Sequence, residues 1–247
     1  MPGLAEYARV RDWRLTQIDK LSNVEVYRES TIDEAQILAA GVDKVVLATG
    51  ATWRRDGTGR WLEEPVAGSD LPNVYTADDI LGGTVPAGPV LIWDDDHYYL
   101  GGVMAEHLRA RGLDVTLATP ANEISTWTTH TEEQHRIQQR VLQLGITVRT
   151  GVELWSVAPD HATVGCVYTE RAEHVAAASV VMVSSRQPND ALYRLLKDRI
   201  DITLIGDALA PGTIATAVYS GHQYARELDA PVATRVRFRR ENPAPNP

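Results

Sequence analysis

Six residues between an apolar run and a helical pattern hold the densest chemistry in the sequence: Asp94-Asp95-Asp96-His97-Tyr98-Tyr99. They stand where a G-x-G-x-x-G fingerprint would let the backbone approach a pyrophosphate at a helix N-terminus. Asp94, Asp96 and Tyr99 occupy the three glycine positions. Carboxylates there repel a pyrophosphate, and the Tyr99 ring blocks close approach. Thr119, at the end of the next strand, is neither the acid that holds a ribose nor the arginine that holds a 2′-phosphate. These residues argue against NAD(P) and for a Rossmann-shaped unit without its ligand. A helix N-terminus tolerates such acids, each favoured by about 0.3–1 kcal/mol. A hard cation on Asp94-Asp95-Asp96-His97 is disfavoured, because consecutive residues on one turn rarely converge on one ion.

The remaining candidates are weaker. Gly57-Thr58-Gly59 follows no strand and opens no helix, and reads as a loop. His130 and His135 are five apart and do not share a helical face as a zinc-binding pair does. No serine or cysteine sits in a G-x-S-x-G elbow. Cys166 lies in an apolar strand and reads as packing. Two strand-to-glycine turns remain: Val45–Gly50, ending in Thr49-Gly50, and Ile202–Ala208, containing Gly206-Asp207 before a helix. Each alone is common in α/β proteins. Together they flank a complete β-α-β unit, which suggests one domain interrupted by another.

The elements that must position these residues follow from periodicity. Val90–Trp93, Val115–Ala118 and Val180–Val183 read as buried strands, and Gly101–Arg111 as a helix stopped by Gly112. The unit starting at Pro89 has the size of a dinucleotide-binding half. Helical spacing appears over 7–21, 31–40 with Ser30 or Thr31 as N-cap, 132–144 and 213–228. Val24–Tyr27 alternates like a short strand, and residues 52–75 read mostly as loop. Thr76-Ala77-Asp78-Asp79 resembles a capping box that opens one helical turn to Leu81. Short antiparallel strands are expected between 152 and 176. Strands alternating with helices predict a doubly layered α/β fold.

Composition bounds the function. The chain has 247 residues, 44% of them apolar and 23% charged, the profile of a globular protein with a sizeable core. The net charge of −9 disfavours nucleic acid as a partner. No apolar run reaches the ~20 residues of a membrane span, and no secretion signal opens the chain, so a cytoplasmic protein is expected. The single cysteine cannot form an internal disulfide or ligate an iron–sulfur cluster by itself.

Several stretches resemble the C-terminal part of the dimethylamine, trimethylamine and histamine dehydrogenases. These belong to the old-yellow-enzyme-like family that includes 2,4-dienoyl-CoA reductase. The stretches are PGLAEYARVRDWRLTQIDKL, DKVVLATGATWRRDGTGR, VLIWDDDHYYLGGVMAEHL and IGDALAPGTIATAVYSGH. The resemblance runs from Pro2 to about Glu241, and DDDHYYLGG in place of a glycine fingerprint is itself like the amine-dehydrogenase branch. It implies an α/β, Rossmann-like FAD/NAD(P)-binding pair. Residues 1–84 and 201–232 would form an outer ADP/FAD-type domain lacking its first βαβ unit. Residues 85–200 would be an inserted NAD-like domain, and 233–247 a tail.

By the same resemblance, Thr49, Gly50, Gly206 and Asp207 line a site for ADP or FAD, weak without the first βαβ unit. Covalent FMN and a 4Fe–4S cluster belong to the family's barrel, for which this sequence has no ligands, and NAD(P) is not expected. The implied partners are that barrel, as domain or subunit, and an electron-transferring flavoprotein. An open strand edge also invites a second copy of the chain. By family the protein is a flavin-dependent oxidoreductase, and this chain alone is expected to be inactive. Two other functions fit the sequence: a non-catalytic docking module, and an independent FAD- or NAD(P)H-dependent oxidoreductase.

Overall fold

A computed structural model describes residues 4–230. The expected tail over 233–247 lies outside the described residues. A 3-10 turn at Ala5–Tyr7 leads into α1 (Ala8–Ile18), followed by α2 (Glu34–Ala40), β1 (Val45–Leu47), β2 (Ala51–Trp53), β3 (Val74–Thr76) and α3 (Ala77–Leu81). Then come β4 (Val90–Asp94), α4 (Leu100–Arg109), β5 (Val115–Ala118), α5 (Gln134–Gln143), β6 (Thr147–Arg149), β7 (Val152–Val157), β8 (His161–Cys166) and β9 (Ala172–Ala176). The chain continues through β10 (Ser179–Val183), β11 (Arg186–Pro188), α6 (Ala191–Leu196), β12 (Ile202–Leu204) and α7 (Ile214–Glu227). The fold is α/β and Rossmann-like, as the sequence predicts.

The described residues form two compact units, one of residues 4–30 with 52–187, the other of 31–51 with 188–230. The first is built on a five-stranded parallel sheet, in the order β3-β10-β4-β5-β6. Every residue of β4 and β10 is buried, which is why both read as unbroken apolar runs. The strand period of two sorts β4 between two cores. Val90 and Ile92 join Met104 and Leu108 of α4 and Val141 of α5. Leu91 and Trp93 join Leu154, Val164 and Met182. Antiparallel β7-β8-β9 covers that second face, as expected from 152–176.

The compact units have other bounds than the domains expected from the sequence. Residues 52–84 fall in the first unit, because β3 pairs with β10 in register Val74↔Val180 and Ala77 and Ile80 enter the sheet's core. The compact units thus meet at 51/52 and 187/188, whereas the sequence places domain bounds at 84/85 and 200/201. The Thr76–Asp79 capping box forms, with Asp79 in the place of the usual glutamate: its Oδ2 accepts from Thr76 N at 2.7 Å, and Asp79 N donates to Thr76 Oγ1 at 3.3 Å. Val24–Tyr27 forms no strand. The second helix starts later than expected, at Glu34, where Asp33 makes a capping box with Gln36.

The second unit is smaller. Its described strands are β1 and β12, paired in parallel with Val45 opposite Ile202 and Leu47 opposite Leu204. Its buried apolar side chains are Ile37, Leu47, Leu196 and Ala208. Helix α7 buries none of its residues.

Candidate functional site

In open parallel sheets, ligands bind beyond the carboxyl ends of the strands. Both units have such strand-end turns, and these differ.

In the second unit, the β1/β12 register places Thr49-Gly50 and Gly206-Asp207 beyond the same end of the pair, and Ile205 N donates to Leu47 O at 3.0 Å. Gly50 (φ +74°) and Gly206 (φ +60°) take left-handed conformations that side chains disfavour. Nothing lies within 4 Å of where a Cβ on Gly50 would stand, so backbone conformation, not crowding, selects glycine there. Asn189, which the sequence reading missed, fixes the first turn. Its backbone O accepts from Thr49 Oγ1 at 2.6 Å, its N donates to Gly50 O at 3.0 Å, and its Nδ2 donates to Thr49 O at 3.1 Å. Gly206 N donates to Ser220 Oγ of α7 at 3.0 Å, and Asp207 Oδ1 accepts from Gly212 N at 3.1 Å. These bonds bring the loop to the N-cap of α7, where Thr213 accepts from Thr216 N at 3.4 Å. The four residues chosen from the sequence are thereby gathered at one end of the strand pair.

In the first unit, the turn between β4 and α4 is filled from within. Asp94 and Asp95 are wholly buried. Asp94 Oδ1 accepts from Asp96 N and His97 N, both at 3.2 Å. Its Oδ2 has no hydrogen-bond partner and lies 2.4 Å from where a Cβ on Gly101 would stand. The Asp94 carboxyl therefore occupies the first turn of α4, the place an external anion would take. Burial, aided by the neighbouring Asp96 charge, pushes the Asp94 carboxyl up to about 7. Burial also raises Asp96, against the pull of Arg186 and Arg60.

Asp95 Oδ2 accepts from Trp61 N at 2.8 Å and would lie 2.2 Å from a Cβ on Gly59. Gly59 of the Gly57-Thr58-Gly59 loop thus leaves room for a buried carboxyl, a role the sequence did not reveal. His97 Nε2 stands 3.2 Å from Asp95 Oδ1, outside hydrogen-bond geometry. Tyr99 sits at the N-cap position of α4. Its hydroxyl donates to Glu133, its ring meets Tyr7 at 5.8 Å, and burial followed by the Glu133 bond raises its pKa. Close packing of α4 falls to Gly101 and Gly102: a Cβ on Gly102 would meet Ile137 at 3.2 Å.

No family model matches the chain. Histamine dehydrogenase from Rhizobium sp. 4-9 superposes with a TM-score of 0.94 at 38% identity, covering 100% of this chain and 40% of that one. The chain belongs with the dimethylamine, trimethylamine and histamine dehydrogenase family. Dimethylamine dehydrogenase of Hyphomicrobium sp. (strain x) is 33% identical over 93% of this chain and 36% of its own length. An NADH oxidase of Thermoanaerobacter brockii is 30% identical over 92% of this chain and 34% of its own. The chain thus spans little more than a third of the curated relatives it matches, and it corresponds to the amine dehydrogenases' C-terminal, nucleotide-domain portion. The family is one of oxidoreductases. Among the described residues no helix is long and apolar enough to cross a membrane.

Proposed function

We propose that this chain is the nucleotide-domain portion of a flavin-dependent amine dehydrogenase-type oxidoreductase, and that its second unit binds ADP. One observation carries the reading. The Thr49-Gly50 and Gly206-Asp207 turns share the carboxyl end of a parallel strand pair, with space around Gly50, while the turn after β4 in the first unit is filled by Asp94. The residues fit an adenine nucleotide: glycine turns allow close backbone approach, α7 begins just beyond, and Asp207 is an acceptor suited to ribose hydroxyls.

In the whole enzyme, a barrel portion carrying FMN and a 4Fe–4S cluster would supply the redox chemistry. Electrons would leave for an electron-transferring flavoprotein. The role proposed for this chain is to bind and orient, and the likeness to amine dehydrogenases supports it. The NADH oxidase relative favours a second reading, an NADH-linked oxidoreductase. The buried Asp94 carboxyl at the α4 N-terminus opposes it.

Calorimetric titration of the full chain with ADP, FAD and NADH tests both. ADP is expected to bind saturably and NADH not to bind. Asp207→Ala should weaken ADP about tenfold or more, the worth of a hydrogen bond to a charged acceptor. ADP binding that is absent, or indifferent to Asp207→Ala, overturns the proposal, and NADH binding tighter than ADP establishes the second reading.

A further inference from the structure

The carboxyl end of the first unit's sheet holds a second feature, beside the filled turn. A cavity of about 620 Å³ opens next to the end of β5, lined by Pro120–Glu123, Thr126, Trp61, Val167 and Tyr168. Its size falls within the ~300–1,000 Å³ of small-molecule sites. Trp61 and Tyr168 are large aromatic side chains left 47% and 73% exposed. Both are nevertheless tethered at their polar ends. Trp61 Nε1 donates to Glu153 Oε2 at 2.6 Å, and Tyr168 Oη donates to Asn122 Oδ1 at 2.8 Å. Their exposure is thus combined with restraint, the condition under which a ligand does not have to order its own walls.

The charge of the lining is one-sided. Glu123 is its only ionisable side chain besides Tyr168, and no lysine or arginine lines it. Arg60, next to Trp61 in sequence, is placed over the Trp127 ring at 4.5 Å. Glu123 Oε1 accepts only long contacts, from Thr126 and Thr129 hydroxyls at 3.4 Å each. Aromatic faces with a nearby carboxylate and no competing cation attract a positive charge of low hydration, such as a substituted ammonium. The same lining offers a phosphate no cationic partner.

We propose that this cavity binds a small organic cation, an alkylated or aryl-bearing ammonium ion, held between Trp61 and Tyr168 with Glu123 as counter-charge. The site is separate from the nucleotide site proposed in the second unit and stands or falls without it.

Choline and its neutral isostere 3,3-dimethyl-1-butanol are the probes, titrated into the full chain with tryptophan fluorescence and heat as readouts. Choline should saturate and bind about tenfold or more tighter than the isostere, since the charge is what the rings and Glu123 recognise. Trp61→Leu and Glu123→Gln should each weaken choline about five- to tenfold, and ADP should not displace it. Glu123→Gln keeps an acceptor for the two threonines, so it tests the charge even if Trp61→Leu fails to fold. Equal binding of the two probes, no saturation, displacement by ADP, or a Glu123→Gln chain that binds choline as before overturns the proposal.

Discussion

The two units treat the carboxyl ends of their parallel strands in opposite ways. In the first, the turn after β4 is packed with the chain's own carboxyl, and a glycine is needed at 101 because that carboxyl is there. In the second, the turn after β1 has a glycine for its backbone angle alone, with nothing pressing on it. The frames differ to match. The first unit has five parallel strands, of which β4 and β10 are buried throughout, whereas the second has a described pair, β1 and β12, whose outer edges carry no described strand partner. Parallel strands are ordinarily covered on both faces. A strand-end crevice can therefore be structurally robust and closed, or open and thinly supported. The glycine count of a motif does not distinguish these cases, but what fills the space does.

The largest effects should come from the first unit's core. Leu91→Ala is expected to cost about 2–5 kcal/mol, since Leu91 is fully buried in the central strand. Denaturant unfolding followed by tryptophan fluorescence measures it. If the comparison is right, limited proteolysis of the wild-type chain cuts within 31–51 or beyond 188 before it cuts 52–187. Uniform resistance and one cooperative transition would instead mean that the two units are equally supported.

The next effect concerns the filled turn. Gly101→Ala should destabilise by about 1–3 kcal/mol, because its Cβ would collide with the Asp94 carboxyl. Adding Asp94→Gly should recover part of that loss. Replacing Asp94, Asp96 and Tyr99 together with glycine should raise NADH affinity, which calorimetry would detect. Failure of both would show that the Asp94 carboxyl is not what closes the site.

Asp94 also predicts a pH dependence. Its folded pKa, about 7, lies above the unfolded value of 3.8. An acid raised in this way stabilises the fold most below pH 3.8, and that contribution is lost as pH rises through about 7. Asp94→Asn should therefore gain about 1–4 kcal/mol at pH 8 relative to wild type and little at pH 4. Urea midpoints at the two pH values report it, and an equal gain at both would show that the carboxyl does not titrate in this range.

The smallest effect belongs to the second unit. Asp33→Ala removes the capping-box acceptor of α2 and should cost about 0.5–2 kcal/mol. Because that unit has few buried side chains, the loss should appear first as faster proteolysis near 31–51.

What could be read from sequence was what depends on local chemistry. The apolar runs of β4 and β10, the Thr76–Asp79 box and the glycine turns at 50 and 206 each declare themselves within a few residues. Features decided by distant partners did not. Val24–Tyr27 alternates like a strand, but no strand pairs with it, and Tyr27 is left exposed. Val74–Thr76 is a strand because β10 lies beside it, not because three residues announce one. Asn189 fixes the Thr49-Gly50 turn from 140 positions away in sequence. Asp94, Asp96 and Tyr99 were recognisable as departures from a glycine pattern. That Asp94 would fold back onto Gly101, while Tyr99 bonded Glu133, required the helix positions themselves.

The buried Asp94 carboxyl has a kinetic and competitive meaning as well as a structural one. A group tethered one turn from a binding position behaves as a resident competitor, at an effective concentration of at least about millimolar. A dinucleotide supplied at lower concentration meets a rival that cannot diffuse away. On the proposed reading, closing such a site needs no change of fold and no obstruction at its entrance, only a side chain that takes the place of the guest's oxygen atoms.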